Sequence, residues 1–295
     1  MSTTLPPGRL GLPAVGESLA FFTNPYRFAK SRYERYGPVF KTRLFGSKTA
    51  MLLSDSAQQL VLITGQEYFA NAAGYAVMKP FYGDALLLTD GAVHAQQRKL
   101  MVPAFHGRAM GAYLDIITRV ATDHLKGWGA SGQRRLYPEV RTLAFALASA
   151  ILTGIEMGDD RDRLLQLWRD FSQGNYGLVP LDIPLTKYGR AMRARRELDA
   201  LLRQVIAQQS HSESAAPTVL QLLLQARDDA DQPIPEDLLL DQMRLLLFAG
   251  HDTTSGTLTW LIIELLRHPD LLKAIRDEVH ADGTGPSGSP PLTLE

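Results

Sequence analysis

The chain has 295 residues, of which 45% are hydrophobic and 21% are charged, so it is long and apolar enough to bury a core. Its 31 basic and 31 acidic side chains cancel, and no overall field draws it to nucleic acid or to an anionic membrane. The absence of cysteine excludes disulfides, thiolate nucleophiles, zinc–cysteine sites and iron–sulfur clusters within these residues.

The first segment, residues 1–23, is rich in proline and glycine, which predicts an extended, turn-rich leader. It contains no stretch that resembles a signal peptide or a membrane anchor. The longest apolar run of the chain, LAFALASAIL at residues 143–152, is about half the ~20 residues that cross a bilayer, which favours a buried core helix. We therefore expect a cytoplasmic protein.

One β hairpin is predicted, over residues 39–53, after a helix that begins at Asn24-Pro25 and ends at Gly37-Pro38. Its two strands are β-prone and are separated by a Gly-Ser-Lys turn, but two strands alone are marginal in water. From Ser56 onward the pattern is helical, and the predicted fold class is mainly α with a minor β hairpin. The helical segments lie near residues 56–64, 90–103, 109–126, 138–153, 160–173, 187–209, 217–227, 235–267 and 269–281.

The longest predicted helix covers residues 235–267. Pro235 and the two acidic residues after it suit a first turn, and no helix-breaking residue comes before His268-Pro269. About 33 residues at about 1.5 Å each span about 50 Å, enough to cross a large domain, so we interpret this segment as a central helix. After it, residues 283–291 (GTGPSGSPP) have the composition of a flexible linker.

Several familiar motifs are false signals or are absent. Residues 127–132 and 283–288 match the pattern G-x-G-x-x-G, but neither follows a strand and opens a helix, as a dinucleotide site requires. The seven histidines form no H-E-x-x-H motif, and there is no G-x-S-x-G nucleophile elbow. The sequence therefore gives no support to a nucleotide site, a zinc site or a serine hydrolase.

A polar cluster interrupts the apolar central helix at residues 248–260, FAGHDTTSGTLTW. Glycine inside a helix costs roughly 1 kcal/mol relative to alanine, and Asp and Thr compete for backbone hydrogen bonds, so the cluster is costly unless it has a role. Gly250, Thr253 and Thr254 share one helix face, and Asp252 points away from it. Gly250 should leave a notch with hydroxyl groups at its rim.

The Thr253 hydroxyl is predicted to donate to the carbonyl of Ala249, four residues earlier, and so to bend or bulge the helix. On these residues alone, the cluster is either a structural bend with internally satisfied hydroxyls or a site where a backbone group is freed for a ligand.

The sequence AGHDTT at residues 249–254 resembles the oxygen-binding motif A/G-G-x-D/E-T-T/S of the cytochrome P450 monooxygenases. Three further segments resemble that family in the same order along nearly the whole chain: the leader PPGRLGLP at residues 6–13, the helix with His94 and Arg98 in the family's W/H-x-x-x-R pattern followed by PAF at residues 103–105, and HPD at residues 268–270. Each motif is modest alone, and the shared order makes the resemblance specific.

The resemblance implies a haem cofactor above which O₂ and substrate meet. Ala249 and Gly250 would face the distal side of the iron. Asp252, Thr253 and Thr254 would be the catalytic residues, with Asp252 and Thr253 relaying protons during oxygen activation.

Two further sets of residues take their roles from the resemblance or from composition. His94 and Arg98, one helical turn apart, would bind a haem propionate, although a solvated basic helix face is the alternative. Phe81 and Phe248 make an apolar substrate pocket plausible without selecting a substrate. The intact family member would take its electrons from a ferredoxin or a flavoprotein reductase.

The family's haem ligand is a cysteine thiolate, and these 295 residues contain none. We therefore expect the N-terminal part of a cytochrome P450 domain, ending before the family's E-x-x-R helix and cysteine loop, with no axial ligand of its own and no activity as it stands. Glu264–Arg267 fits E-x-x-R, but it precedes the His-Pro junction and we interpret it as a surface ion pair. The alternative from another class is a haem-free helical remnant or interaction protein; histidine-ligated haem is a third possibility.

Overall fold

The structure is a computed structural model that describes residues 5–128, 133–156, 158, 161–176, 181–210 and 217–281. The predicted linker at residues 283–291 lies outside the described residues, as do the second glycine pattern and most of the first. The chain forms two compact units, Met1–Ala70 and Asn71–Glu295. Each unit has its own core.

The first unit combines short helices with the hairpin. Its helices and strands are α1 (Ser18–Thr23), α2 (Pro25–Tyr36), β1 (Val39–Leu44), β2 (Ser47–Leu52) and α3 (Asp55–Gln59), followed by a π-helical turn at Leu60–Thr64 and a 3₁₀ turn at Gln66–Tyr68. The strands are antiparallel, with Val39 opposite Leu52 and Leu44 opposite Ser47. Alternate residues of β1 are buried because successive strand side chains point to opposite faces.

Helix α1 corrects the prediction of an extended leader up to residue 23. The segment Ser18–Thr23 contains neither proline nor glycine, and it forms a helix once the turn at Gly16, with φ of 68°, has reversed the chain. Its Phe21 ring packs edge-on against Phe28 of α2 at a centroid distance of 5.7 Å. Tertiary packing therefore stabilises a helix that is too short for periodicity to reveal.

Glu17, just before α1, is a buried carboxylate that connects the leader to α2 and β1. Its oxygens accept hydrogen bonds from Arg9 at 2.7 Å, Arg32 at 2.7 Å and Thr42 at 3.0 Å. Burial raises the pKa of Glu17, but the hydrogen bonds from Arg32, Arg9 and Thr42 outweigh it, and the pKa lies below its ordinary value. The carboxylate is thus held ionised.

The second unit is helical. Its helices are α4 (Asn71–Gly74), α5 (Lys79–Tyr82), α6 (Gly91–Met101), α7 (Arg108–Lys126), α8 (Leu136–Thr153), α9 (Arg161–Ser172), α10 (Lys187–Gln209), α11 (Val219–Gln225), α12 (Glu236–Arg267) and α13 (Pro269–Ala281). Short 3₁₀ turns occupy Ala76–Met78, Leu86–Leu88, Val102–Phe105 and Gln173–Tyr176. The predicted fold class, mainly α with one hairpin, is confirmed, and the apolar run at residues 143–152 lies within α8, where many of its side chains are buried.

Helix α12 runs through the second unit and packs most extensively against α8. Arg244 fixes its N-terminal half, since this guanidinium is only 1% exposed and donates to the carbonyl of Phe81 at 2.9 Å. Asp199 of α10 and Asp241 of α12 pair with the same guanidinium. Within the described ranges, no helix is both long and apolar enough to span a bilayer.

Candidate functional site

An apolar cleft of about 480 Å³ opens beside the polar cluster of α12. One wall is formed by α8 with Ala144, Ala148 and Ile151, and the other by α12 with Ala249 and Gly250. Phe105, Ile117 of α7 and Thr254 of α12 complete much of the rim. The sequence-predicted residues Ala249, Gly250 and Thr254 are therefore brought together on one apolar space.

Gly250 is the reason that α12 leaves room at this point. A Cβ atom built on Gly250 would meet only the Cβ of Ala148, at 3.7 Å, which is ordinary van der Waals contact. The backbone itself is regular helix and has no need of glycine. Glycine destabilises a helix interior, and this helix does not need its conformational freedom. The effect of Gly250 that could have a function is therefore the space left by its missing side chain.

Hydroxyl groups along this part of α12 bond to carbonyls four residues earlier. Thr253 Oγ1 donates to Ala249 O, as the sequence predicts, and Ser255 Oγ donates to His251 O at 2.6 Å. The helix nevertheless remains α-helical throughout, so the predicted bulge does not form. Thr253 is exposed, whereas Thr254 lies on the cleft.

Asp252 lies on another side of α12, as predicted, and belongs to a polar group that sequence reasoning missed. Its Oδ1 is 3.0 Å from Nδ1 of His251 and 3.9 Å from Nη2 of Arg141 in α8. His251 is only 2% exposed, and its Nδ1 also lies 2.9 Å from Nε1 of the buried Trp168 in α9. The sequence did contain a signal for this polar group, because the histidine directly before Asp252 is a titratable residue inside an apolar helix.

The environment of Asp252 keeps its carboxylate ionised. A hydrogen bond from His251 lowers its pKa most; burial acts in the opposite direction, and the charges of His251 and Arg141 lower the pKa further. The net effect is a pKa of Asp252 below its ordinary value. A half-buried carboxylate in this state accepts protons only transiently.

His94 and Arg98 lie on α6, which leads directly into the 3₁₀ turn that carries Phe105 to the cleft. His94 is half-buried and Arg98 is exposed, and among the described residues neither side chain has a hydrogen-bond or ion-pair partner. Their neighbours do have partners: Lys99 pairs with Asp229, and Gln97 accepts from Gln242 at 2.9 Å. Arg98 is thus a cation available to an anionic group.

The predicted substrate residues Phe81 and Phe248 do not line this cleft. Phe81 is 1% exposed and packs edge-on against Tyr188 at a centroid distance of 5.3 Å. Phe248 is partly buried against the ring of Tyr82, at 5.4 Å. Both belong to the core between α5, α9, α10 and α12 because tertiary packing, which the local sequence does not specify, covers that face of α12.

The residues present fit one face of a haem. A flat apolar group would meet an apolar cleft whose α12 wall lacks a side chain at Gly250. An anionic substituent would meet Arg98, which has no ion-pair partner among the described residues and lies on the helix that leads into the cleft. Within the described ranges, no cluster of three or more histidine, cysteine, aspartate or glutamate residues is placed to hold a metal ion. The residues that would contact a haem are thus those of the apolar cleft, together with Arg98.

Comparison with known proteins agrees with this helical fold. The chain superimposes on a solved structure of retinoic acid-bound cyanobacterial CYP120A1 with a TM-score of 0.83 and 33% identity, covering 95% of this chain and 64% of that one. It is 32% identical to putative cytochrome P450 120 of Synechocystis sp. over 94% of its own length and 62% of the relative. It is also 28% identical to abscisic acid 8'-hydroxylase 4 of Arabidopsis thaliana, over 94% of this chain and 59% of that protein.

The fold is thus that of the haem-dependent monooxygenases. The family model for cytochrome P450 matches residues 6–285, and the chain belongs to the cytochrome P450 family. It spans about three fifths of the length of these curated relatives.

Proposed function

We propose that this chain forms the distal side of a haem site in a cytochrome P450 monooxygenase that hydroxylates an apolar organic substrate. The single observation that supports it is the apolar cleft of about 480 Å³ at Ala249 and Gly250. A helix interior that omits a side chain next to an apolar space is suited to a flat apolar cofactor.

Different residues would bind the haem and move protons. Arg98, assisted by His94, would bind a haem propionate through charge-assisted hydrogen bonds. The haem, when bound, supplies the activation of O₂. Asp252, Thr253 and Thr254 would hold and move protons beside it, with Asp252 as the ionised acceptor and the hydroxyl groups as short-range donors.

The substrate class follows from the relatives. The name of one describes it as bound to retinoic acid, and the name of another describes it as a hydroxylase of abscisic acid. Both compounds are carboxylic acids. We therefore propose an apolar carboxylic acid as the first substrate class to test, with the carbon skeleton against the apolar walls of α8 and α12. Electrons would come from a ferredoxin or a flavoprotein reductase.

The 295 residues contain no cysteine, so they supply no thiolate to the iron. From this chain alone we expect haem contact without monooxygenase turnover. A reduced, CO-bound Soret band of thiolate-ligated haem in the purified chain would contradict this expectation.

Haem titration of the purified chain tests the proposal. We expect saturable uptake, and we expect Arg98→Ala to weaken it about tenfold, since a charge-assisted hydrogen bond contributes about 1.5 kcal/mol or more. Lys99→Ala is the matched control, because it removes an exposed cation from the same helix that already has Asp229 as a partner. No saturable uptake, or equal losses in both variants, would favour a haem-free remnant or interaction protein.

A further inference from the structure

The imidazole of His251 is buried between two groups that compete for the same atom. Its Nδ1 lies 2.9 Å from Nε1 of Trp168 and 3.0 Å from Oδ1 of Asp252. An indole N–H is only a donor, and an ionised carboxylate is only an acceptor. Nδ1 must therefore be unprotonated to bond with Trp168 and protonated to bond with Asp252.

The two hydrogen bonds exclude each other because one ring nitrogen either accepts or donates. When the proton of a neutral ring is on Nε2, Nδ1 accepts from Trp168 and the carboxylate loses its donor. When Nδ1 carries a proton, it donates to Asp252, and the indole of Trp168, which is 1% exposed, loses its acceptor. Each state has one of the two hydrogen bonds and lacks the other, so the state bonded to Trp168 and the state bonded to Asp252 are close in free energy.

Solvent has a route to this ring through a cleft that shares no lining residue with the apolar cleft. A second cleft, of about 240 Å³ between α8 and α9, is lined by Trp168 and His251. The other ionisable groups at the site are Tyr137 and Arg141 of α8, Arg169 of α9, and Asp252 itself. Two of these are cationic and oppose a charged imidazole, and Asp252 favours it.

We propose that His251 is a proton switch and a positioning residue for Asp252, exchanging its Nδ1 hydrogen bond between Trp168 and the carboxylate as it gains and loses a proton from the second cleft. The inference deepens the proposed function, since it supplies the solvent end of the relay for which Asp252 was assigned.

The cycle is balanced in protons and involves no electron transfer. Water in the second cleft gives a proton to Nδ1, leaving hydroxide, and Trp168 releases the nitrogen. Nδ1–H donates to Oδ1 of Asp252 and the proton moves to that oxygen. Nδ1 accepts again from Trp168, and Asp252 returns to its carboxylate when it passes the proton on.

Proton NMR of the indole N–H groups of the full chain tests the switch without any cofactor. The Trp168 signal, assigned by its loss in Trp168→Phe, should move upfield as the pH falls between about 8 and 5, the range in which imidazole changes charge. The indole of Trp260, which is 63% exposed, serves as an internal reference that should not move.

Two variants separate a switch from a structural contact. In His251→Gln the amide oxygen still accepts from Trp168 but does not titrate, so the Trp168 signal should stay constant over this pH range. In Asp252→Asn the midpoint of the signal change should move to lower pH, because the protonated imidazole loses its anionic partner. Far-UV circular dichroism of each variant verifies that the chain is folded.

The proposal is overturned if the Trp168 signal does not titrate in the folded parent, if its titration survives His251→Gln, or if Asp252→Asn leaves the midpoint unchanged. Because the measurement needs no haem, its failure is independent of the proposed function. Saturable haem uptake with no titration of Trp168 would reject the switch alone, whereas titration without haem uptake would reject the cofactor site alone.

Discussion

Replacing Gly250 tests whether the space beside α12 serves a ligand or is merely tolerated. The same helix offers a matched position, Gly256, where an added Cβ would have no neighbour within 4 Å. Neither glycine has a positive φ, so alanine fits the backbone at both. Each replacement by alanine should raise the free energy of unfolding by about 1 kcal/mol, the usual helix-propensity difference.

Leucine at the two positions separates stability from cofactor contact. At position 250 the isobutyl group would enter the cleft of about 480 Å³, against Ala148, without forcing the helices apart. Stability should not fall, because leucine has nearly the helix propensity of alanine and its apolar group meets an apolar wall. Haem affinity should fall at least about tenfold, which corresponds to about 1.4 kcal/mol of lost contact.

The assays are urea unfolding followed by circular dichroism, and haem titration followed at the Soret band. Gly256→Leu should leave haem affinity within about twofold of the parent, because its side chain does not line the cleft. Two results would refute the reasoning. One is Gly250→Ala destabilising the chain while Gly256→Ala stabilises it, and the other is equal haem affinity in the two leucine variants.

Three other predictions concern stability measured by urea unfolding. Glu17→Gln should cost about 2 kcal/mol at pH 7. Because the pKa of Glu17 is lowered in the folded chain, this cost should begin to shrink below the ordinary value of 4.5 and disappear as the pH falls through the lowered pKa. A pH-independent cost would contradict the ion-pair assignment. Arg244→Ala should cost about 3–5 kcal/mol, since it removes the buried cation that Asp199 and Asp241 share, and a loss under about 1 kcal/mol would exclude a buried pair. Thr218→Ala removes the capping box of α11 and should cost about 1 kcal/mol, whereas Ser210→Ala, outside any N-cap, should cost less.

Local sequence patterns predict most of the helices and the hairpin. The bounds of α12, Glu236–Arg267, follow from acidic residues in the first turn and the His-Pro junction after the last one. The hairpin follows from β-prone runs on either side of a glycine turn. The Thr253 bond to Ala249 is also local, since the two residues are one helical turn apart. These features depend on residues within a few positions of one another, which is the range over which periodicity and capping act.

The short helices between residues 71 and 82, and α1 before residue 24, were not predictable in this way. Each is at most six residues long, so it contains too few turns for an apolar face to show in the sequence. Packing against the rest of its unit stabilises each of them. The amphipathic pattern that identifies a long helix is absent in a helix of one turn.

The sequence by itself determined that Gly250 would leave space on α12 and that Thr253 would bond to Ala249. Only the tertiary structure decided what lies against each face of the helix. His251 meets Trp168 across 83 residues, and Arg244 meets Phe81 across 163 residues, which also buries Phe81 in the core rather than on the cleft. Periodicity specifies which face of a helix is apolar, but the partner of that face is chosen by how distant segments pack.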